Sequence, residues 1–166
     1  NATLANGTIG MTVINGTPAE LPSIKANIPN FAPAEVVAYS KTAGNPELRK
    51  IWKDKIIEKN PLLKNKNFSL PVLVPGLTAA LSYVADLFVD TDKPLLAPDP
   101  CWDNYELITC ARRNAEFRQF SCFSGNGLNL ESLEKEMRAD AKKYGSVRVI
   151  LNFPQNPPGY IPTQAE

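Results

Sequence analysis

The sequence of 166 residues contains no histidine, only three cysteines and no apolar run long enough to span a membrane. Without histidine, the chain cannot build a Ser-His or Cys-His nucleophile from its own side chains. Its cysteines are odd in number and none stands in a CxxC spacing, which argues against a disulfide framework and against a zinc site; they are Cys101, Cys110 and Cys122. Any chemistry must therefore come from another source, such as an organic cofactor.

An excess of charge of one sign is also missing. The 18 basic and 17 acidic side chains nearly cancel and are scattered along the chain, so the sequence lacks the basic footprint of a nucleic-acid-binding protein. No stretch reaches the roughly 20 apolar residues of a membrane helix, and no signal peptide opens the sequence. A hydrophobic content of 43% is typical of a globular domain, and we expect a cytoplasmic protein with no membrane partner.

The chain divides by composition into three segments. Residues 1–45 are rich in Gly, Asn and Pro and predict an extended arm with a short strand near Thr8 to Val13. Residues 46–69 form a helix and a linker: Asn45 is a helix cap, Pro46 suits the first turn, and the apolar spacing continues to about Lys59. Residues 70–166 are the third segment.

This third segment alternates strands and helices with short links, the pattern of a mostly parallel α/β sheet. The run from Val147 to Phe153 has the length and β-branched content of a strand buried on both faces. The predicted strands cover 71–75, 94–97, 115–120 and 147–153, and the predicted helices start after Gly76, near Trp102 and at Asn129.

Polar and aromatic residues follow three of these strands. Gly76 permits a sharp turn, and the backbone N–H of Leu77 with the hydroxyl of Thr78 then suits an anion at the start of a helix. Trp102 comes directly after a strand and a proline, where its ring face can stack on a flat ligand. Each feature has a plain structural reading as well, respectively a helix cap and a half-buried tryptophan.

The third strand end is the stretch "VRVILNFPQNPPGY". Ligands of open parallel sheets collect beyond the carboxyl ends of the strands, so Gln155 and Asn156 are expected where a ligand would be held. The alternative is a polar turn with no ligand. Taken together, a phosphate cradle, a stacking ring and an amide donor at Asn156 suggest a planar phosphorylated cofactor.

Four stretches, "AYSKTAGNPELRK", "PGLTAAL", "DPCWDNY" and "NFPQNPPGYIPT", resemble segments of the fold-type I pyridoxal-phosphate aminotransferases in their order and spacing, and look most similar to the aspartate aminotransferase-like branch. The resemblance extends from about residue 8 to the end of the sequence. It implies an α/β fold, a partial three-layer sandwich that forms an incomplete major domain. It also implies pyridoxal 5'-phosphate as cofactor, with an amino acid and a 2-oxo acid as substrates.

The resemblance assigns a role to each matching residue. The backbone N–H of Leu77 and the hydroxyl of Thr78 would bind the cofactor phosphate, Trp102 would stack on the pyridine ring, and Asn156 would donate to its phenolic oxygen. This chain departs from the family pattern at Leu77, where a small residue is usual, and at Pro158, where threonine is usual. A backbone contact tolerates the first change, whereas the second is expected to alter the turn.

Two further residues carry implied roles in an assembled enzyme. Tyr39 aligns with a tyrosine that reaches the phosphate of the partner subunit, which implies a homodimer with shared active sites. Gly10 aligns with a glycine loop that lies over the substrate. The resemblance also predicts that at least one of the Asp99-Pro100 and Asn156-Pro157 bonds is cis, and X-Pro bonds tolerate that form cheaply.

Essential family residues have no assigned counterpart in this sequence. The Schiff-base lysine, the aspartate that pairs with the pyridine nitrogen and the carboxylate-binding arginines follow, in the family, the loop that matches residues 154–160, which contains Asn156 and is called the asparagine loop below. We therefore expect an amino-terminal part of a larger enzyme, with no catalytic residue assigned here and no activity by itself. Strand 71–75 would lack its sheet neighbours, which predicts self-association or a rearranged pairing.

Two other functions fit the same features. One is a non-catalytic α/β module that binds a phosphorylated ligand or a partner through the same crevice. The other is a related pyridoxal-phosphate enzyme, such as a lyase or a decarboxylase, which would share the contacts to the cofactor. Affinity for the pyridoxal ring separates the first from the aminotransferase, and the products separate the second.

Overall fold

The computed structural model describes residues 12–166, so Gly10 and most of the predicted Thr8 to Val13 strand lie outside the described residues. The chain forms two compact units, one ending at Pro71 and the other covering Val72–Glu166. The finer division into 1–45, 46–69 and 70–166 stays a prediction. In the described part of the chain, no helix is long and apolar enough to cross a membrane.

The described part of the first unit begins with a small hairpin. Strand β1 (Val13–Ile14) pairs antiparallel with β2 (Thr17–Pro18). The two residues between them, Asn15 and Gly16, have φ values of 51° and 76°. Asn-Gly is the pair that two-residue hairpin turns favour, because both positions need a positive φ.

Short helices follow, and one longer helix forms where the sequence predicts it. The elements are α1 (Pro22–Asn27), a 3-10 turn (Ile28–Asn30), α2 (Pro33–Val36), α3 (Pro46–Lys59) and a second 3-10 turn (Pro61–Leu63). The side chain of Asn45 caps α3, since its Oδ1 accepts hydrogen bonds from the N–H groups of Glu47 at 2.9 Å and Leu48 at 3.1 Å. The predicted start and end of α3 are confirmed.

The predicted strand at 71–75 is wrong, because these residues pair with no strand in the described part of the chain. Proline at Pro71 and Pro75 removes two ladder donors. In the first unit, side chains of α3 donate to carbonyl groups at and before the start of this stretch: Arg49 Nε donates to Pro71 O and Lys53 Nζ to Phe68 O, both at 2.6 Å. The predicted rearranged pairing of this strand is therefore wrong too, and self-association stays a prediction.

The second unit alternates helices and strands as the sequence predicts. Its elements are α4 (Leu77–Phe88), β3 (Leu95–Asp99), α5 (Asn104–Glu106), a π-helical turn (Leu107–Arg112), β4 (Phe117–Ser121), β5 (Phe123–Ser124), β6 (Gly127–Leu128) and α6 (Leu130–Tyr144). The cap of α6 is Asn129, as predicted, with Oδ1 accepting from Ser132 N at 3.0 Å. Helix α6 is followed by Gly145, whose φ of 71° is left-handed.

A small parallel sheet is the centre of this unit. Strand β3 pairs parallel with β4, with Leu95 opposite Phe117 and Asp99 opposite Ser121. A buried apolar cluster lies between α4, the π-helical turn and the start of β4, and consists of Ala85, Val89, Ile108 and Ala115. The predicted mostly parallel α/β fold is confirmed.

The predicted strand 147–153 forms only in part. Val149 makes a parallel bridge to Leu96, with Leu96 N donating to Arg148 O at 2.8 Å and Ile150 N to Leu96 O at 2.9 Å. Residues 147–150 are half-buried and 151–153 are exposed, so the expectation of a strand buried on both faces is wrong. The reason is that this segment has a sheet neighbour on one side only among the described residues.

Candidate functional site

Two loops with predicted site residues of the second unit, those of Trp102 and Asn156, follow parallel sheet segments that end at one edge. Strands β3 and β4 run in the same direction, and the Val149 bridge places a third segment parallel to them. The tight turn from Asp90 to Lys93, closed by hydrogen bonds of 3.1 and 2.8 Å, reverses the chain between α4 and β3. Helix α4 has 12 residues and β3 has 5, so they are about 18 Å and about 16 Å long, and we infer that the amino-terminal end of α4 lies near the edge where β3 ends.

The start of α4 is an open turn with no side-chain cap. Gly76 has φ 91° and ψ 168°, a conformation that is almost restricted to glycine, and no side chain caps the helix. A Cβ built on Gly76 would meet no atom within 4 Å, so the approach to this turn is clear. Leu77 and Thr78 are both exposed there. The first N–H groups of the helix and the Thr78 hydroxyl are thus available to an anion.

Trp102 lies on the loop that follows β3. Its ring contacts Tyr105 edge to face, with the ring centroids 5.6 Å apart and the planes at 90°. Tyr105 is buried and Trp102 half-buried, so the indole has a fixed support and retains exposed surface. This arrangement suits stacking on a planar ligand.

Asn156 is exposed on the loop after the third sheet segment. The loop is closed by two backbone hydrogen bonds, from Gly159 N to Gln155 O at 2.6 Å and from Gln155 N to Tyr160 O at 2.9 Å. The Asp99-Pro100 and Asn156-Pro157 bonds are both cis, which confirms the prediction made from the sequence. The Phe153-Pro154 bond is cis as well.

Gln155 is buried, so the prediction that its side chain lies where a ligand would be held is wrong. Its side chain is buried, with Nε2 donating to Pro100 O at 2.6 Å and Oε1 accepting from Cys122 Sγ at 3.1 Å. The side chains of adjacent loop residues point to different sides. In this loop the side chain of Gln155 points inward and that of Asn156 is exposed. The partner is 55 positions away in the sequence, and no local pattern signals it.

Glu166 is a loop anchor that the sequence analysis missed. Its carboxylate accepts from Thr163 N at 2.8 Å, from Thr163 Oγ1 at 2.7 Å and from Leu128 N at 2.8 Å. It also accepts from the Tyr160 hydroxyl, and the Tyr160 ring packs edge to face on Phe123. A signal was present, because Thr163 and Glu166 have the T-x-x-E spacing of a capping box.

The thiols beside this edge are not activated nucleophiles. Burial raises the pKa of Cys101, and the negative charge of Asp99 adds to the effect. Burial also raises the pKa of Cys122. Both thiols therefore stay protonated at neutral pH. The reactive form of a cysteine is the thiolate, so neither is activated. Within residues 12–166 no group of three or more metal-binding side chains comes together.

No observation places the two remaining predicted residues, Tyr39 and Gly10, at this edge of the sheet. Tyr39 is fully exposed in the first unit, and its role at a partner subunit stays a prediction. Gly10 lies outside the described residues.

Comparisons with known proteins agree with this architecture. Among curated proteins there is no significant match. Among solved structures, an aminotransferase from Anaerococcus prevotii DSM 20548 has a TM-score of 0.86 at 22% identity, covering 95% of this chain and 38% of that one. This chain therefore has the fold of part of that protein and spans well under half its length. The family model of aminotransferase class I and II matches residues 14–166, and the chain belongs to this family.

Proposed function

We propose that this chain binds the phosphate and the ring of pyridoxal phosphate in an aminotransferase, which moves an amino group between an amino acid and a 2-oxo acid. The observation that carries the proposal is the uncapped start of α4, together with the Trp102 and Asn156 loops, which follow two parallel segments of one sheet. Family membership and the likeness to a solved aminotransferase support the same activity.

The donor set fits this cofactor in its chemistry. A phosphate is satisfied by free helix N–H groups together with the hydroxyl of Thr78. Trp102 supplies an aromatic face for the pyridine ring, and the amide of Asn156 is a hydrogen-bond donor for an oxygen on that ring. When bound, pyridoxal phosphate supplies the electron sink that lets an amino acid lose its α-proton.

Each residue then has a separate task. The start of α4 fixes the phosphate end, which leaves rotation of the ring as the main freedom. Trp102 limits that rotation from one face, and its contact with Tyr105 keeps the indole in place. Asn156 donates to the phenolic oxygen and so favours the deprotonated form of that oxygen, since a hydrogen bond to a charged form lowers its pKa.

The other parts of the active site are proposals that rest on the family. No lysine or arginine of these 166 residues is assigned to the covalent link or to the substrate carboxylates, so this chain alone is proposed to be inactive. Tyr39 is proposed to reach the phosphate in the partner subunit of a homodimer. Gly10 is proposed to lie over the substrate.

Titration of the full gene product with pyridoxal phosphate tests the proposal. T78A, W102A and N156A should each weaken binding about tenfold, the effect of losing roughly 1.4 kcal/mol of contact energy. The matched controls T91A, W52A and N152A change exposed residues of the same types and should leave affinity within about twofold. Unchanged affinity in the three site variants would remove this site from consideration.

A second measurement separates an enzyme from a phosphate-binding module. Borohydride reduction of the loaded gene product, followed by intact-mass measurement, should show one pyridoxyl group on a lysine. Amino-group transfer to a 2-oxo acid should accompany it, since a lyase or decarboxylase would give other products. Equal affinity for inorganic phosphate and pyridoxal phosphate, with no adduct, would instead favour the module.

A further inference from the structure

We propose that Gln155 is a positioning residue that sets the separation between Trp102 and Asn156, and thereby aligns the stacking ring and the amide donor on one cofactor. The inference rests on the proposed function, because it assigns a role toward the pyridoxal ring. It concerns a residue with no direct contact to that ring, since Gln155 is only 3% exposed.

The Gln155 side chain joins the two loops directly. Its Nε2 donates to the carbonyl of Pro100 at 2.6 Å, two residues before Trp102. Asn156 is the next residue after Gln155 in the chain. The two loops that carry the predicted ring contacts are therefore joined by one short side-chain hydrogen bond.

A second contact makes this link part of a closed network. Cys122, directly after β4, donates from Sγ to Gln155 Oε1 at 3.1 Å. The backbone N–H of Cys122 donates to Asp99 O at 3.1 Å, and Asp99 precedes Pro100. The ends of β3 and β4 and the asparagine loop are thus held to one another at three points.

The burial of this network makes it costly to break. The Gln155 backbone also has partners for both its groups, Tyr160 O and Gly159 N. Gln155 and Cys122 are buried, so removal of the Gln155 amide leaves the Cys122 thiol without its hydrogen bond, which costs more than the bond itself contributes. The two loops then lose their fixed separation, whereas a bound ring needs both contacts placed to within about 0.5 Å.

Glutamine has the chemistry that this position requires. It donates to a carbonyl oxygen and accepts from a thiol through two atoms of one planar group. Glutamate has the same shape, yet its carboxylate cannot donate to Pro100 O. Methionine has similar length and can do neither. These two substitutions therefore remove the link with little change in volume.

The test uses Q155E and Q155M in the full gene product, with Q164E as matched control because Gln164 is exposed. Thermal melting of the cofactor-free proteins first establishes that each variant folds. Both Q155 variants should bind pyridoxal phosphate about tenfold more weakly. The circular dichroism that the protein induces in the bound cofactor should fall by about half, because it reports ring orientation. C122A keeps the bond to Pro100 and should give an intermediate loss, and it replaces the Q155 variants if these do not fold.

Combination with N156A distinguishes positioning from general destabilisation. If Gln155 acts through Asn156, then Q155M should weaken binding by less than about threefold in an N156A background, which is strong non-additivity. Full additivity, or unchanged affinity and dichroism in both Q155 variants, would overturn the role of Gln155 while the proposed function stands. A wild-type protein that does not bind pyridoxal phosphate would overturn both.

Discussion

The hydroxyl of Tyr160 lies 2.8 Å from Oε1 and 3.0 Å from Oε2 of Glu166. Tyr160 belongs to the asparagine loop, because its carbonyl accepts from Gln155 N. The same carboxylate also binds Leu128 N of β6. Glu166 therefore anchors the loop through Tyr160, while Gln155 anchors it through its hydrogen bond to Pro100.

This anchor predicts a loss of stability in acid. Backbone and hydroxyl donation from Thr163, then the N–H of Leu128 and the hydroxyl of Tyr160, lower the pKa of Glu166 from 4.5 to about 2. A carboxyl with a lowered folded-state pKa stabilises the fold above its unfolded pKa and loses that contribution as pH falls through the folded value. The melting temperature of wild type should exceed that of E166Q above pH 4.5, and the difference should close toward pH 2.

Glu106 provides the control for this experiment, since it is exposed and has no side-chain hydrogen bond among the described residues. E106Q should track wild type across the whole pH range. A gap between wild type and E166Q that stays constant down to pH 2 would contradict the assigned hydrogen bonds.

A second prediction concerns the ion pair between β4 and α6. Arg118 Nε lies 2.9 Å from Asp140 Oδ1, and the Asp140 side chain is only 1% exposed. D140A should lower the free energy of unfolding by about 3 kcal/mol, because it leaves a largely buried guanidinium with Glu136 as its remaining partner. Urea denaturation of the full gene product measures the change.

An exposed pair on the same helix provides the comparison. Glu134 and Arg138 are four residues apart on α6, with side chains 62% and 77% exposed. E134A should cost no more than about 0.5 kcal/mol, since water screens such pairs. Equal losses in D140A and E134A would mean that the buried pair contributes no more than a surface one.

The sequence predicts best those elements whose stabilising contacts join residues close together in the chain. Asn45 and Asn129 cap their helices because a side chain reaches N–H groups only two or three residues ahead. Pairing of residues 147–153 depends instead on neighbours distant in the chain, and there the prediction of a fully buried strand is wrong. The site shows the same contrast. Turn residues at Gly76 are readable from sequence, whereas the inward direction of Gln155 depends on Pro100.

The cap of α3 gives a third prediction. N45A removes the acceptor for the N–H groups of Glu47 and Leu48, which costs about 1 kcal/mol in helices of this kind. Amide hydrogen exchange at these two positions should become about fivefold faster, the factor that corresponds to this energy. Asn65 is exposed in the same unit, and N65A should leave the exchange unchanged. Unaltered exchange in N45A would show that the cap does not stabilise α3.

The last prediction separates two glycines that share a positive φ. Gly76 has φ 91° and ψ 168° before α4, and Gly145 has φ 71° and ψ 0° after α6. Both G76A and G145A should destabilise the protein by about 1 to 3 kcal/mol, because a Cβ strains each backbone conformation. Only G76A should also weaken pyridoxal phosphate binding, since relief of its strain turns the first N–H groups of α4 away from the phosphate.

Both glycines have open space around a Cβ, so crowding does not account for either effect. Affinity for pyridoxal phosphate and for inorganic phosphate should fall by the same factor in G76A, because the turn is proposed to contact the phosphate and not the ring. In G145A both affinities should equal those of wild type. If G76A lost only stability, like G145A, the phosphate would not lie at the start of α4. The proposed contact between the Thr78 hydroxyl and the phosphate would then be wrong as well.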